Sequence, residues 1–84
     1  MPTSLHTREY RALLRLLKQL RQDAGLTQVE LAEALGQPQS FVSKYEHAER
    51  RLDVIELRAI CRALGASWVA FVAELEDVLS TEKT

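Results

Sequence analysis

Residues 26–47 read LTQVELAEALGQPQSFVSKYEH, and the fold turns on how this stretch is punctuated. Thr27 and Glu30 stand at the spacing of a capping box, in which the cap hydroxyl accepts from the third helical amide and the glutamate accepts from the cap amide. Leu26 before the cap and Leu31 after it are placed as a hydrophobic staple. Leu31, Ala32 and Leu35 then recur at helical spacing. Gly36 closes the run, because glycine takes the left-handed conformation of a helix end without steric cost. Pro38 suits the first position of the next helix, where its missing N–H would be unpaired anyway. The pattern predicts a short helix over 28–35, a tight Gly36-Gln37 turn and a second short helix over 38–47.

The same punctuation repeats outward. Gly25 and Gly65 each follow an apolar residue that ends a periodic run, and Asp53 with Glu56 repeats the capping box, flanked by Leu52 and Leu57 as a staple pair. Ser67 suits the cap of a last helix. Further helices are therefore expected near 7–24, 54–64 and 68–79. Tyr10, Leu13, Leu14, Leu17, Leu20 and Ala24 line one side of the first, and Arg8, Arg11, Arg15 and Lys18 line the other. A basic stripe of that kind reads as a solvated face. The fourth helix offers Leu57, Ile60, Cys61 and Leu64, and the fifth a stripe of Trp68, Phe71, Val72, Leu75 and Leu79. With no competing strand pattern or repeat, the fold class is all-α: five helices in one domain spanning 1–84.

Composition narrows the function. The chain has 84 residues, 46% hydrophobic and 27% charged, the balance of an ordinary globular domain. Its longest unbroken apolar run, Trp68 to Ala73, falls far short of the roughly 20 residues that span a bilayer. No signal-peptide pattern opens the chain, so a cytoplasmic location with no membrane partner is expected. The single Cys61 excludes an internal disulfide and a multi-cysteine metal site. His6 and His47 have no ligand spacing between them, and no nucleophile or acidic pair is arranged for catalysis. Neither an enzyme nor a cofactor or metal is expected. Taken alone the net charge of -1 argues against nucleic acid, but it is unevenly shared. Through Arg51 there are 8 Lys+Arg and 6 Asp+Glu; from Leu52 onward there are 3 and 6.

Two short helices joined by a glycine-containing turn have the geometry of a helix-turn-helix, whose second helix enters the major groove. In that second helix Val42 and Tyr45 point inward at i, i+3 spacing. Ser40, Ser43, Lys44 and His47 point outward, with Gln39 in the first turn. Amides, hydroxyls and one long cation suit base edges: glutamine bonds adenine bidentately, serine accepts either role and lysine reaches guanine.

From Leu20 to about Leu75 the chain resembles the XRE (Cro/C1-type) helix-turn-helix family. The elements L-T-Q-x-x-L-A, G-x-P-Q-S-x-V-S-x-Y-E and L-x-x-I-x-x-A-L-G carry the likeness, which runs without a gap over about two thirds of the chain. The resemblance implies a five-helix, lambda-repressor-like fold that binds double-stranded DNA, usually as a homodimer on a two-fold symmetric operator. By the same resemblance Gln39, Ser40 and Lys44 hold the base-reading positions, with Ser43 beside them. Gln28 meets a phosphate and buttresses Gln39. Arg21 pairs with Glu46 while approaching the DNA backbone. Arg50 and Arg51 fall in a phosphate-contacting loop, and His47 ends the recognition helix beside it. Phe41 lies on the flank, packed against the domain or touching a thymine methyl. Where the family most often has glycine after this helix, the chain has Ala48. Either the backbone there is left-handed, at a cost of about 1 kcal/mol, or the loop takes another path.

Trp68, Phe71, Val72, Leu75, Val78 and Leu79 offer more apolar surface than a small five-helix core needs, which points to an isologous dimer interface. The expected function is a transcriptional regulator such as a repressor, with no ligand-binding domain and no small-molecule ligand. The alternative is an antitoxin that sequesters a toxin partner and autoregulates its operon; the short polar stretch Ser80 to Thr84 leaves that reading little room.

Overall fold

Five helices carry the chain in the computed structural model, which describes residues 7–81: α1 (Arg8–Asp23), α2 (Gln28–Leu35), α3 (Gln39–Glu46), α4 (Val54–Ala63) and α5 (Trp68–Thr81). There is no strand among the described residues, and every helix begins and ends within two residues of its expected bounds. His6 and residues 82–84 of the polar tail lie outside the described residues.

Both capping boxes form. Thr27 Oγ1 accepts from the Glu30 amide at 3.1 Å while Glu30 Oε1 accepts from the Thr27 amide at 2.9 Å. Asp53 and Glu56 repeat the exchange at 2.7 and 2.9 Å. Thr7 caps α1, and Ser67 Oγ accepts from the Ala70 amide at 3.2 Å to start α5. Pro38 departs from its expected place by one residue. It is the cap rather than the first helical residue, with φ -68° and ψ 156°. Both positions tolerate a missing N–H, and the ring fixes φ but leaves ψ free to be extended.

Among the described residues four are left-handed: Gly25, Gly36, Gly65 and, at φ 60°, Ala48. Ala48 therefore takes the first of its two alternatives. The Glu49 amide donates to the Lys44 carbonyl at 2.8 Å, closing α3 just as the Gln37 amide closes α2 on the Ala32 carbonyl at 2.9 Å. The chain accepts about 1 kcal/mol of backbone strain and keeps the glycine-type exit from α3.

The core is centred on α3, which packs on α1 and α2; α4 backs α2, and α5 closes across α1 and α4. Leu17, Leu31, Val42, Tyr45, Ile60 and Cys61 are fully enclosed at its centre. Tyr10 ties the first helix to the α3–α4 loop, its hydroxyl accepting from the Leu52 amide at 3.0 Å. Several expected core residues lie further out. Ala24 is exposed at the end of α1, and Leu35, Leu57 and Leu64 are half-buried at the edge of the cluster. Conversely Phe71, expected at a dimer surface, is 2% exposed and belongs to the core. Because α5 lies across two helices, the middle of its stripe is covered by its own chain. None of the described helices is long and apolar enough to cross a membrane.

Candidate nucleic-acid interface

A row of hydrogen bonds joins α1, α2 and α3 along one edge. The Arg21 guanidinium donates to Glu46 from Nε at 2.7 Å and from Nη2 at 3.1 Å, and from Nη1 to the Leu26 carbonyl at 2.8 Å. Gln28 Nε2 donates to Glu46 Oε1 at 2.9 Å, and Gln39 Nε2 donates to Gln28 Oε1 at 2.9 Å. The side chains of Arg21 and Glu46 are 10% and 2% exposed, so each charge needs the other. The Glu46 hydrogen bond raises the Arg21 pKa above its ordinary value against the opposing effect of burial. The capping box sets the first turn of α2, and Leu31 and Ala32 pack it against Val42 and Tyr45 of α3. Gln28 is thereby brought opposite the start of α3. The result is a Gln39 amide held by a chain of partners that ends in a buried ion pair.

Around this row Gln39, Ser40, Lys44 and His47 are exposed and Ser43 is half-buried, so α3 presents a polar outer face. His47 Nδ1 lies 2.7 Å from the Ser43 carbonyl, which can only accept, so that nitrogen is the donor. Phe41 lies on the opposite side. Its ring is buried, edge-on to Tyr45 at 5.6 Å between centroids. Of its two alternatives, packing against the domain is the one realised, because the turn of α3 that carries Val42 inward also carries Phe41 toward the α3–α4 loop.

That loop engages its own arginines. Arg50 donates to both carboxylate oxygens of Glu56 at 2.7 and 3.1 Å, and its guanidinium lies 4.7 Å from the centre of the Phe41 ring. Glu56 is held below the ordinary carboxyl range, first by Arg50 and then by the Asp53 amide it caps. Arg50 is thus a brace between the loop and α4. Arg51 is exposed with its guanidinium 4.8 Å from the centre of the Tyr10 ring. The arginine–glutamate brace escaped the sequence reading, although the capping box had already placed Glu56 near the loop.

A second feature also escaped it. An open cleft of about 380 Å³ lies between α1 and the end of α3. Arg11, Arg15 and Lys18 form one wall and Glu46 and His47 the other. Periodicity put those three cations on one face of α1; only packing shows what they face.

With this geometry in view, comparison with known proteins gives one consistent answer. A helix-turn-helix family model matches residues 17–71, from the middle of α1 into α5. The chain belongs to the XRE-type helix-turn-helix family. An XRE-family-like protein from Pseudomonas syringae pv. tomato is 56% identical, with a TM-score of 0.79 over 82% of this chain and 84% of that one. The restriction–modification controller protein C.Esp1396I, solved as a tetramer with its natural 35 base-pair operator, is 27% identical. Its TM-score is 0.73 over 80% of this chain and 88% of that one. The HTH-type transcriptional regulator y4dJ of Sinorhizobium fredii is 36% identical over 58 residues, which are 69% of this chain and 75% of that protein. Within the XRE-type fold, α2, its turn and α3 are the helix-turn-helix that the residues at 28–47 announce.

Proposed function

We propose that the protein is a sequence-specific, double-stranded-DNA-binding transcriptional regulator that works as a homodimer on a two-fold symmetric operator. The observation that carries this reading is the held Gln39 amide at the head of an exposed polar face on α3. A preset amide loses less freedom when it meets a base edge than a mobile one does. Gln39, Ser40, Ser43 and Lys44 read bases in the major groove, with Lys44 supplying the long cation that reaches guanine. Gln28 and Arg51 meet the phosphates, Arg21 supports Gln28 through Glu46, and His47 closes the row. Arg50 acts indirectly by bracing the loop that carries Arg51. C.Esp1396I, solved with its operator, supports the DNA partner and a multimeric arrangement.

The dimer surface is revised from the sequence expectation. Val69 and Val72 of α5 are 77% and 43% exposed, and Trp68, Leu75, Val78 and Leu79 are half-buried beside them. Val69 replaces Phe71 in that set. An apolar strip of this kind on a small domain favours a second copy, and dimerisation sets half-sites about 34 Å apart.

The test is selection of bound duplexes from a random pool, followed by variants on the selected site. Gln39→Ala and Lys44→Ala should each cost about 1–3 kcal/mol at particular base positions, while Arg51→Ala should weaken all sequences alike. An unaltered base preference in Gln39→Ala would overturn the assignment of the reading face. Sedimentation of a strictly monomeric chain at tens of micromolar would overturn the dimer.

A further inference from the structure

The cleft between α1 and the end of α3 is not used by the reading above, although it deepens it and rests on it. Arg11, Arg15 and Lys18 line one wall from α1, Leu14 lies at the base, and His47 closes the far side. Glu46 also lines the cleft, but its carboxylate already accepts two hydrogen bonds from Arg21 and one from Gln28. Its charge is therefore balanced from behind. The carbonyl end of α3 adds a negative pole worth about half an elementary charge. Arg11 and Lys18 by themselves outweigh it, and the cleft attracts anions.

Two observations choose the anion. The cleft is open to solvent along its length, so a small organic ligand could bury only part of its surface against Leu14 and Ala48. It also starts where the outer face of α3 stops. Gln39, Ser43 and His47 succeed one another at four-residue spacing along that face, and His47 is itself part of the cleft wall. A duplex read by α3 continues past His47 along the α1 cations. We propose that the α1–α3 cleft is a second phosphate-binding site, which takes the sugar-phosphate backbone flanking the base pairs read by α3. It lengthens the electrostatic footprint of a protein whose net charge is only -1, and it does so without adding sequence information.

The experiment compares wild type with Arg11→Gln/Arg15→Gln/Lys18→Gln on two duplexes carrying the selected site. One duplex ends at the base pairs contacted by α3 and the other extends about five base pairs further on each side. All three substituted residues are exposed, so the helical circular-dichroism signal should persist; if it does not, the single variant Lys18→Gln takes the place of the triple one. On the long duplex the variant should bind about 8-fold more weakly per lost phosphate at ~0.1 M salt, with a log–log salt slope smaller by about 0.9 per phosphate. Base preference should be unchanged, and on the short duplex the two proteins should bind alike. Equal affinity and slope on the long duplex overturn the proposal, as does a changed base preference. Millimolar inorganic phosphate that raises the melting temperature of wild type but not of the variant, with no effect of the flank, assigns the cleft to a free anion and overturns it too. A wild type that selects no duplex at all defeats the DNA-binding reading itself, a distinct result from loss of the flank effect alone.

Discussion

Substituting Arg21 with methionine tests the ion pair on which the reading face stands. Arg21→Met removes the 2.7 and 3.1 Å bonds to Glu46 and the 2.8 Å bond to the Leu26 carbonyl. It leaves a carboxylate side chain only 2% exposed with one remaining side-chain donor, Gln28 at 2.9 Å. Breaking a buried pair by removing one partner costs about 3–5 kcal/mol, because the survivor stays buried and charged. The arginine side chain keeps 10% exposure, so water reaches that edge and the lower end, about 3 kcal/mol, is the expected loss. At roughly 0.05–0.15 kcal/mol per residue an 84-residue domain has about 4–13 kcal/mol in total. The variant should therefore lose a quarter or more of its stability. Arg21→Met/Glu46→Leu strands no charge and should return to within about 1 kcal/mol of wild type. Urea denaturation with an unchanged m-value reads both numbers. Base selection reads a third, since the double variant leaves Gln28 without Glu46 and should discriminate less well at the Gln39 position despite its recovered stability. A double variant no more stable than the single one, or a single variant within 1 kcal/mol of wild type, would refute the reasoning.

Three other outcomes are expected. Ala48→Gly should raise stability by about 1 kcal/mol, or roughly 4–8 °C in melting temperature, by relieving the left-handed alanine at φ 60°; a lower melting temperature would show that the methyl packed against the core outweighs the strain. Glu56 has a folded pKa depressed below its ordinary 4.5, so its contribution is present above that value and lost as pH falls through the lower, folded one. Stability should accordingly drop on acidification below about pH 4.5, and Glu56→Gln should flatten that limb in pH-dependent urea melts; an unchanged limb counts against the Arg50–Glu56 brace. Cys61 is enclosed in the core and burial pushes its thiol up to about 11. At pH 7–8 its labelling by a thiol reagent should follow the denaturant unfolding curve, and fast labelling of the native chain would contradict its placement.

Local signals carried most of the architecture. Capping boxes, glycine exits and apolar periodicity act over three to five residues, and they located all five helices to within two residues. Pro38 slipped by one position because a proline is equally at ease as cap or as first helical residue. The polar face of α3 was legible for the same local reason: Val42 and Tyr45 define the buried side, and Ser40, Ser43, Lys44 and His47 follow on the other. The Arg21–Glu46 pair, 25 residues apart, came from family resemblance and not from periodicity, since no local rule joins two charges at that separation.

By itself the sequence determined an all-α chain with a helix-turn-helix at 28–47, because caps, turns and periodicity are written within single helices. Tertiary packing decided which side chains those helices share. It drew Phe41 and Phe71 into the core, joined Arg50 to Glu56, left Val69 outside and set the basic stripe of α1 against His47. The Arg50–Glu56 contact depends on the path of the α3–α4 loop and the others on the angle at which one helix crosses another, and a 3.6-residue repeat holds no record of either.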